Sequence, residues 1–257
     1  MTSKRRLVAF RTIVTKEVLR FSRIWVQTVL PPVITTALYF VIFGNLIGSR
    51  IGPMDGFRYI DYIVPGLIMM AVITTSYANV VSSFYGSKFQ RHIEEMLVAP
   101  VPHYVILLGF VAGGVARGIT VGASVTLVSL LFADLSVHSL WVAASTVLLT
   151  SVLFSLAGFI NAIFANSFDD ISIVPTFVLT PLTYLGGVFY SITLLPEFWQ
   201  RVSQLNPILY MVNAFRFGFL GASDIRLSVS FLIIAAFIVV LFAVALGLLR
   251  RGRGIRA

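Results

Sequence analysis

The densest group of reactive side chains in the 257-residue sequence is a short polar island, Tyr85–His103, YGSKFQRHIEEMLVAPVPH. Lys88, Arg91, His92, Glu94 and Glu95 surround Phe89, Ile93, Met96 and Leu97, and the segment stops at Pro100 and Pro102. As a helix, those apolar residues recur at i, i+4, i+7 and i+8 and form one stripe, with the charges on the other faces. This is binding chemistry, not catalysis: charged groups around an apolar stripe suit a handle gripped by a partner. A solvated or lipid-lying connector helix gives the same periodicity.

Other chemistry is missing. No G-x-x-x-x-G-K-[ST] occurs, so the chain carries no P-loop of its own. Asp61, Asp134, Glu197 and Asp224 fall at or beyond the ends of apolar runs on one side, and Glu94, Glu95, Asp169 and Asp170 on the other. His92, His103 and His138 lie in loops. A proton- or ion-driven transporter keeps an ionisable relay inside the membrane, and here no buried carboxylate is expected. No inverted repeat, nucleophile–base pair or metal-ligand cluster is visible within the apolar runs. Any uphill transport therefore draws its energy from another polypeptide.

The elements that position the island belong to a membrane protein. The sequence is 58% hydrophobic and 11% charged, against about 25% charged in soluble domains. Cysteine is absent, which removes disulfide and thiol chemistry. Six runs meet the length for a span, about 20 apolar residues. They are Val26–Gly48, Ile60–Phe84, Tyr104–Ala133, Ser139–Ala165, Ile171–Ser191 and Ser228–Leu249. Pro31-Pro32 stands near the start of the first, and Pro175 and Pro181 are expected kinks in the fifth. The first run is too long for the core of a cleaved signal peptide. Before it, Leu7, Phe10, Val14, Val18, Phe21 and Trp25 share one helical face opposite Arg5, Lys16, Arg20 and Arg23, as in a helix lying on a membrane surface.

Six spans place both termini on one side. Thirteen cations (Lys4, Arg5, Arg6, Arg11, Lys16, Arg20, Arg23, Lys88, Arg91, Arg250, Arg251, Arg253 and Arg256) then fall on that side, against five opposite: Arg50, Arg58, Arg201, Arg216 and Arg226. The positive-inside rule makes the richer side, with the island and the loop NSFDD, cytoplasmic. The net charge of +9 is thereby a topology signal, and nucleic acid is not an expected partner. Arg117 is the one cation at membrane depth, about 20 Å along the third span. It either serves a polar path or an anionic group, or pairs with a carbonyl or acid of a neighbouring helix. Gly114, Gly118 and Gly122, and separately Gly109 and Gly113, form small ridges for close packing inside the bundle. The external segment Ile192–Leu227 holds two short helical patterns divided at Asn206-Pro207. Its aromatics suit helices that re-enter the outer leaflet, or helices lying flat on the surface.

Three stretches carry a family likeness: KFQRHIEEMLVAPVP (Lys88–Pro102), FDDISIVPTFVLTPLTYLGGVFYSITLLPEFW (Phe168–Trp199) and LNPILYMVNAFRFGFLG (Leu205–Gly221). The sequence resembles, end to end, the ABC-2 type permeases, membrane subunits of one class of ATP-binding-cassette exporters. The resemblance implies an all-α polytopic domain over residues 1–257 in a bacterial inner membrane. It implies a second copy of the permease, two cytoplasmic ABC ATPase subunits that hold ATP and Mg, and no cofactor in this chain. A coupling helix over about Lys88–Val98 would present Lys88, Phe89, Arg91, Glu94, Glu95 and Leu97 to the ATPase. A second contact would come from Phe168, Asp169 and Asp170, and Leu205–Gly221 would belong to a re-entrant hairpin. On this likeness a substrate path is expected along Tyr39, Phe43, Phe177 and Tyr184, with Arg117 nearby. The cargo expected is amphipathic, lipid-linked, glycan or drug-like. A passive channel and a scaffold are the competing readings.

Overall fold

The computed structural model describes residues 2–252, so Arg253 and Arg256 of the cation count lie outside the described residues. The described residues form helices and turns, with one isolated antiparallel bridge between Met54 and Phe57. Helix α1 (Ser3–Arg23) precedes a first span that is broken rather than continuous. It comprises α2 (Trp25–Thr28), α3 (Leu30–Tyr39), a π-helical stretch (Phe40–Ile47) and α4 (Gly48–Ile51). Pro31 and Pro32 fall in the first turn of α3, where a missing N–H costs least. Helix α5 (Tyr59–Phe89) outruns the expected second span, and α6 (His92–Val98) follows. Then come α7 (His103–Ser129), α8 (Leu140–Phe164), α9 (Asp170–Val174), a π-helical turn (Pro175–Leu179) and α10 (Thr180–Leu185). The last helices among the described residues are α11 (Glu197–Gln204), α12 (Pro207–Leu220) and α13 (Leu227–Arg251).

Five stretches are long and apolar enough to cross a membrane among the described residues: Trp25–Gly44, α5, α7, α8 and α13. The fifth expected run is shorter than predicted. Its helix covers Asp170–Leu185 and stops at Gly186 and Gly187, the latter at φ +71°, a left-handed turn that glycine enters freely. The expected kink at Pro175 is the start of the π-helical turn.

Helix α5 is the axis of the molecule, with 83% of its most apolar window buried, mainly by α8, α7 and α12. The glycine ridges of α7 make this possible. A Cβ at Gly114 would collide with Ser155 and Val80, and one at Gly118 with Ser76 and Ser151, so this ridge faces α5 and α8. Gly109 and Gly113 lie against Ile13 and Glu17 of α1. Small side chains let the helix axes approach closely and gain dispersion contacts.

Docking on that second ridge adds Ile13 and Glu17, which lie outside the expected apolar face, to the inward side of α1. Ile13, Glu17 and Phe21 point inward, while Leu7 and Trp25 are exposed. The expectation of no buried carboxylate is overturned here, because Glu17 is fully buried. Ser83 Oγ donates to its Oε1 at 2.6 Å, and Lys16 and Arg20 lie at 3.4 and 3.5 Å. A charged carboxylate is tolerable at such depth only with these partners. The amphipathic pattern could not reveal it, since position 17 becomes internal only through the close approach of α7.

Arg216 is the other displaced charge. Counted among the external cations, it is 1% exposed inside the bundle.

Candidate functional site

At one end of the molecule the island divides into two helices instead of the single one expected over Lys88–Val98. Arg91 adopts a left-handed conformation, φ 61°, ψ 6°, where its N–H donates to Lys88 O at 3.0 Å. A non-glycine residue there costs about 1–2 kcal/mol. The cost is offset by Ile93, which the bend drives into the core with Met96 and Leu97 packed beside it. Phe89 leaves the predicted stripe and is exposed, whereas Leu97 is half-buried. Arg91, His92, Glu94 and Glu95 face outward. Both glutamates sit in the first turn of α6, where the helix dipole favours negative charge. The extended backbone at Ala99, required before Pro100, ends the helix.

Lys88 points inward. Its Nζ donates to Ile163 O at 2.8 Å and Ala165 O at 2.7 Å, closing the carbonyl end of α8. The neighbouring turn is tied by a capping box. Asp170 N–H donates to Ser167 Oγ at 3.1 Å, and the Asp170 carboxylate accepts from the N–H groups of Asn166 and Ser167 at 2.8 and 3.1 Å. That box leaves Phe168 and Asp169 exposed. The Phe168 ring lies 5.3 Å from Phe89 and 4.9 Å from Tyr85, both edge-on. Of the nine residues expected to meet a partner, Lys88 and Asp170 are ties within the chain and Leu97 is partly covered. Phe89, Arg91, Glu94, Glu95, Phe168 and Asp169 stay available along α6 and the Asn166–Asp170 turn.

Between this end and the core lies a polar seam. Arg20 Nη2 donates to the backbone and side-chain oxygens of Asn79 at 2.9 and 2.8 Å. Arg117 is part-buried at the edge of the seam, and its Nη2 donates to Thr28 O at 3.4 Å. The carbonyl of residue 28 would ordinarily accept from the N–H of residue 32. That residue is proline, so Arg117 supplies the absent donor. The carbonyl-pairing reading of Arg117 fits this geometry.

Toward the opposite end the expected path residues divide. Helices α3 and α5 flank a groove of about 250 Å³ lined by Pro31, Pro32, Thr35, Tyr39, Met70 and Thr74, among others. Tyr39, Phe43 and Tyr184 gather around Phe189, at centroid distances of 5.9, 5.0 and 5.7 Å. Phe177 is 73% exposed and stands apart from this cluster. Phe189 was not a sequence candidate. It lies just beyond Gly186-Gly187, and only the observed turn at those glycines brings it across to the first span.

Helix α12 completes this end. Asn206 caps it, accepting from Ile208 N–H at 3.0 Å, while its own Nδ2 donates to Leu182 O at 2.6 Å. The helix packs on α8, α13 and α5 with most of its residues buried. The N–H groups of His138 and Ser139 donate to Phe219 O and Gly218 O at its last turn.

A helical domain with several helices long and apolar enough to cross a membrane is thus joined to a charged, exposed appendage. This is the anatomy of a transport permease, and the chain belongs to the ABC-2 type transporter family, whose profile matches residues 8–220. More particularly, it is 63% identical over 250 residues to the inner membrane transport permease YadH of Escherichia coli strain K12, covering 97% of this chain and 98% of that one. Nodulation protein J of Rhizobium leguminosarum bv. viciae is 24% identical over 215 residues, covering 83% of each chain. Nodulation protein J of Rhizobium meliloti strain 1021 is 24% identical over 234 residues, covering 91% of this chain and 89% of that one.

Proposed function

We propose that this chain is the membrane subunit of an ATP-binding-cassette exporter. Two copies work with two cytoplasmic ATPase subunits in a bacterial inner membrane. The observation that carries this reading is the rigid mounting of α6. It follows the axial helix α5 across the tight turn at Arg91, and Lys88 ties that end of α5 to the Ile163 and Ala165 carbonyls at the end of α8. An exposed charged helix fixed to the longest buried rod of the molecule suits transmission of a push. At about 1.5 Å per residue, α5 is a lever of about 46 Å.

In this reading both termini are cytoplasmic and the chain crosses the membrane six times, with Asp170–Leu185 and the turn after it completing the fifth passage. Helices α11 and α12 form the external hairpin. The burial of α12 supports re-entry, because non-spanning backbone at membrane depth must be covered by protein. Helix α1 lies along the inner interface with its exposed cations Arg5, Arg11 and Arg23 toward headgroups. A second copy would cover the exposed apolar residues Ile34, Leu38 and Val178 and turn the open groove into a path, with Phe177 on its wall.

ATP and Mg belong to the partner subunits, where nucleotide binding would draw the two ATPases together. Helix α6, carried on them, would tilt α5 and α8 and open the groove outward. The aromatic lining favours an amphipathic, lipid-linked or glycan cargo, in which apolar surface and ring faces meet aromatic side chains.

The test is purification of the tagged permease in mild detergent, with mass spectrometry of what stays bound. One ATPase per permease is the expected result, lost when Glu94 and Glu95 are both changed to Lys, because charge-assisted contacts become repulsive. A folded permease with no ATPase would favour a passive facilitator or a scaffold.

A further inference from the structure

Arg216 is a buried cation with no carboxylate in contact among the described residues. Asp224, the nearest acid in sequence, is engaged elsewhere: Ser191 Oγ donates to it at 3.2 Å, and its N–H donates to Asn213 Oδ1 at 3.0 Å. The Arg216 guanidinium lies 3.9 Å from the centre of the Tyr62 ring. Its Nη2 donates to Gly187 O at 2.7 Å and its Nε to Tyr62 O at 3.4 Å, while Nη1 is buried without a hydrogen-bond partner. A guanidinium placed so deep is costly, and an apolar side chain would fill the space with less penalty. What an apolar side chain lacks is the fork of donors that grips a backbone carbonyl.

The gripped carbonyl belongs to the turn that carries Phe189. Two more side chains hold the same segment: Tyr59 OH donates to Phe189 O at 3.1 Å, and Asn206 Nδ2 donates to Leu182 O. Gly66 of α5 leaves room for it, since a Cβ there would stand 2.5 Å from Val188 O. Phe189 is thereby set against Tyr39, which also lines the groove between α3 and α5.

We propose that Arg216 is a positioning residue that hangs the Gly186–Phe189 turn so that Phe189 closes the outer end of the groove. The inference rests on the outward orientation of this end in the proposed function. Gly187, already left-handed, is the joint about which the turn swings when Arg216 releases its carbonyl.

The natural absence of cysteine allows a direct test. Thr35→Cys places one thiol in the groove, and Leu205→Cys places a control on the exposed link between α11 and α12. Intact cells are treated with a membrane-impermeant maleimide. Thr35→Cys should label slowly alone, about tenfold faster with Arg216→Met, the factor that loss of a charge-assisted hydrogen bond commands, and at least as fast with Phe189→Ala, which removes the closing ring itself. Tyr59→Phe should give a smaller increase. Because Arg216 acts through Phe189, Arg216→Met should add nothing in the Phe189→Ala background. Leu205→Cys should label at one rate throughout, whereas general unfolding would raise both thiols. An unchanged Thr35→Cys rate in Phe189→Ala, or independent multiplication of the two effects, would overturn the proposal. Should Arg216→Met fail to reach the membrane, Tyr59→Phe and Phe189→Ala carry the test. The assay needs neither ATPase nor cargo. Failure of the ATPase capture would strike the exporter reading alone.

Discussion

Arg117 shows how a charge at membrane depth can be bound to one backbone atom. Proline at position 32 leaves the Thr28 carbonyl without its helical donor, and Arg117 reaches across from α7 to fill the place. Arg117→Met should therefore lower the melting temperature in detergent, in line with about 1–3 kcal/mol for a buried group left unsatisfied. Pro32→Ala restores an N–H in the ordinary i→i−4 position and should recover much of that loss in the double variant. If Pro32→Ala recovers none of it, the Thr28 carbonyl is not the reason for Arg117. The alternatives for Arg117 were readable in the sequence because a lone arginine in an apolar run demands a partner. Glu17 and Arg216 were not legible as buried charges. Glu17 lies on a basic amphipathic helix and Arg216 in an aromatic-rich external segment, and what buries them is the approach of α7 and α5, which leaves no periodic trace nearby.

Helices were legible where apolar length or proline dictated them. The ends of α7, α8 and α13 fall close to the sequence reading, and Asn206-Pro207 divides α11 from α12 as expected. Less visible were breaks set by single backbone conformations, at Arg91 between α5 and α6 and at Gly186-Gly187 beyond α10. The glycines of the long helices show what separates a contact from a vacancy. Gly118 touches Ser76 and Ser151, whereas nothing lies within 4 Å of a Cβ at Gly86 on α5. Gly118→Val should force α7 from its neighbours and destabilise by about 1–3 kcal/mol or more. Gly86→Ala should stabilise by about 0.5–1 kcal/mol, because alanine loses less backbone entropy in a helix. Thermal unfolding in detergent measures both. Equal signs at the two positions would show that helix propensity, not close approach, governs these glycines.

At the scale of the whole molecule, the described chain is a half-covered object. Helix α5 is buried on nearly every side, but Met70, Thr74 and Ala78 keep an open strip beside the groove. The first span and the Asp170–Leu185 segment expose Ile34, Leu38, Phe177 and Val178 around it. Lipid can cover such a surface, but lipid alone would not explain why a groove with Thr35, Thr74 and Tyr39 opens onto it. A second copy would enclose the groove and bring Phe177, isolated within one chain, to the wall of a shared path. Phe177→Ala should then leave the proposed assembly of two copies with an ATPase intact by light scattering, because one lost ring is a small part of so large an apolar surface. It should change how candidate cargoes stimulate ATP turnover in liposomes, because the ring meets cargo rather than protein. Dissociation of the assembly instead would make Phe177 part of the seam between copies. Unaltered turnover with every cargo that stimulates the parent protein would place it against lipid, and the path would then have to run along Tyr39, Phe43 and Phe189 alone.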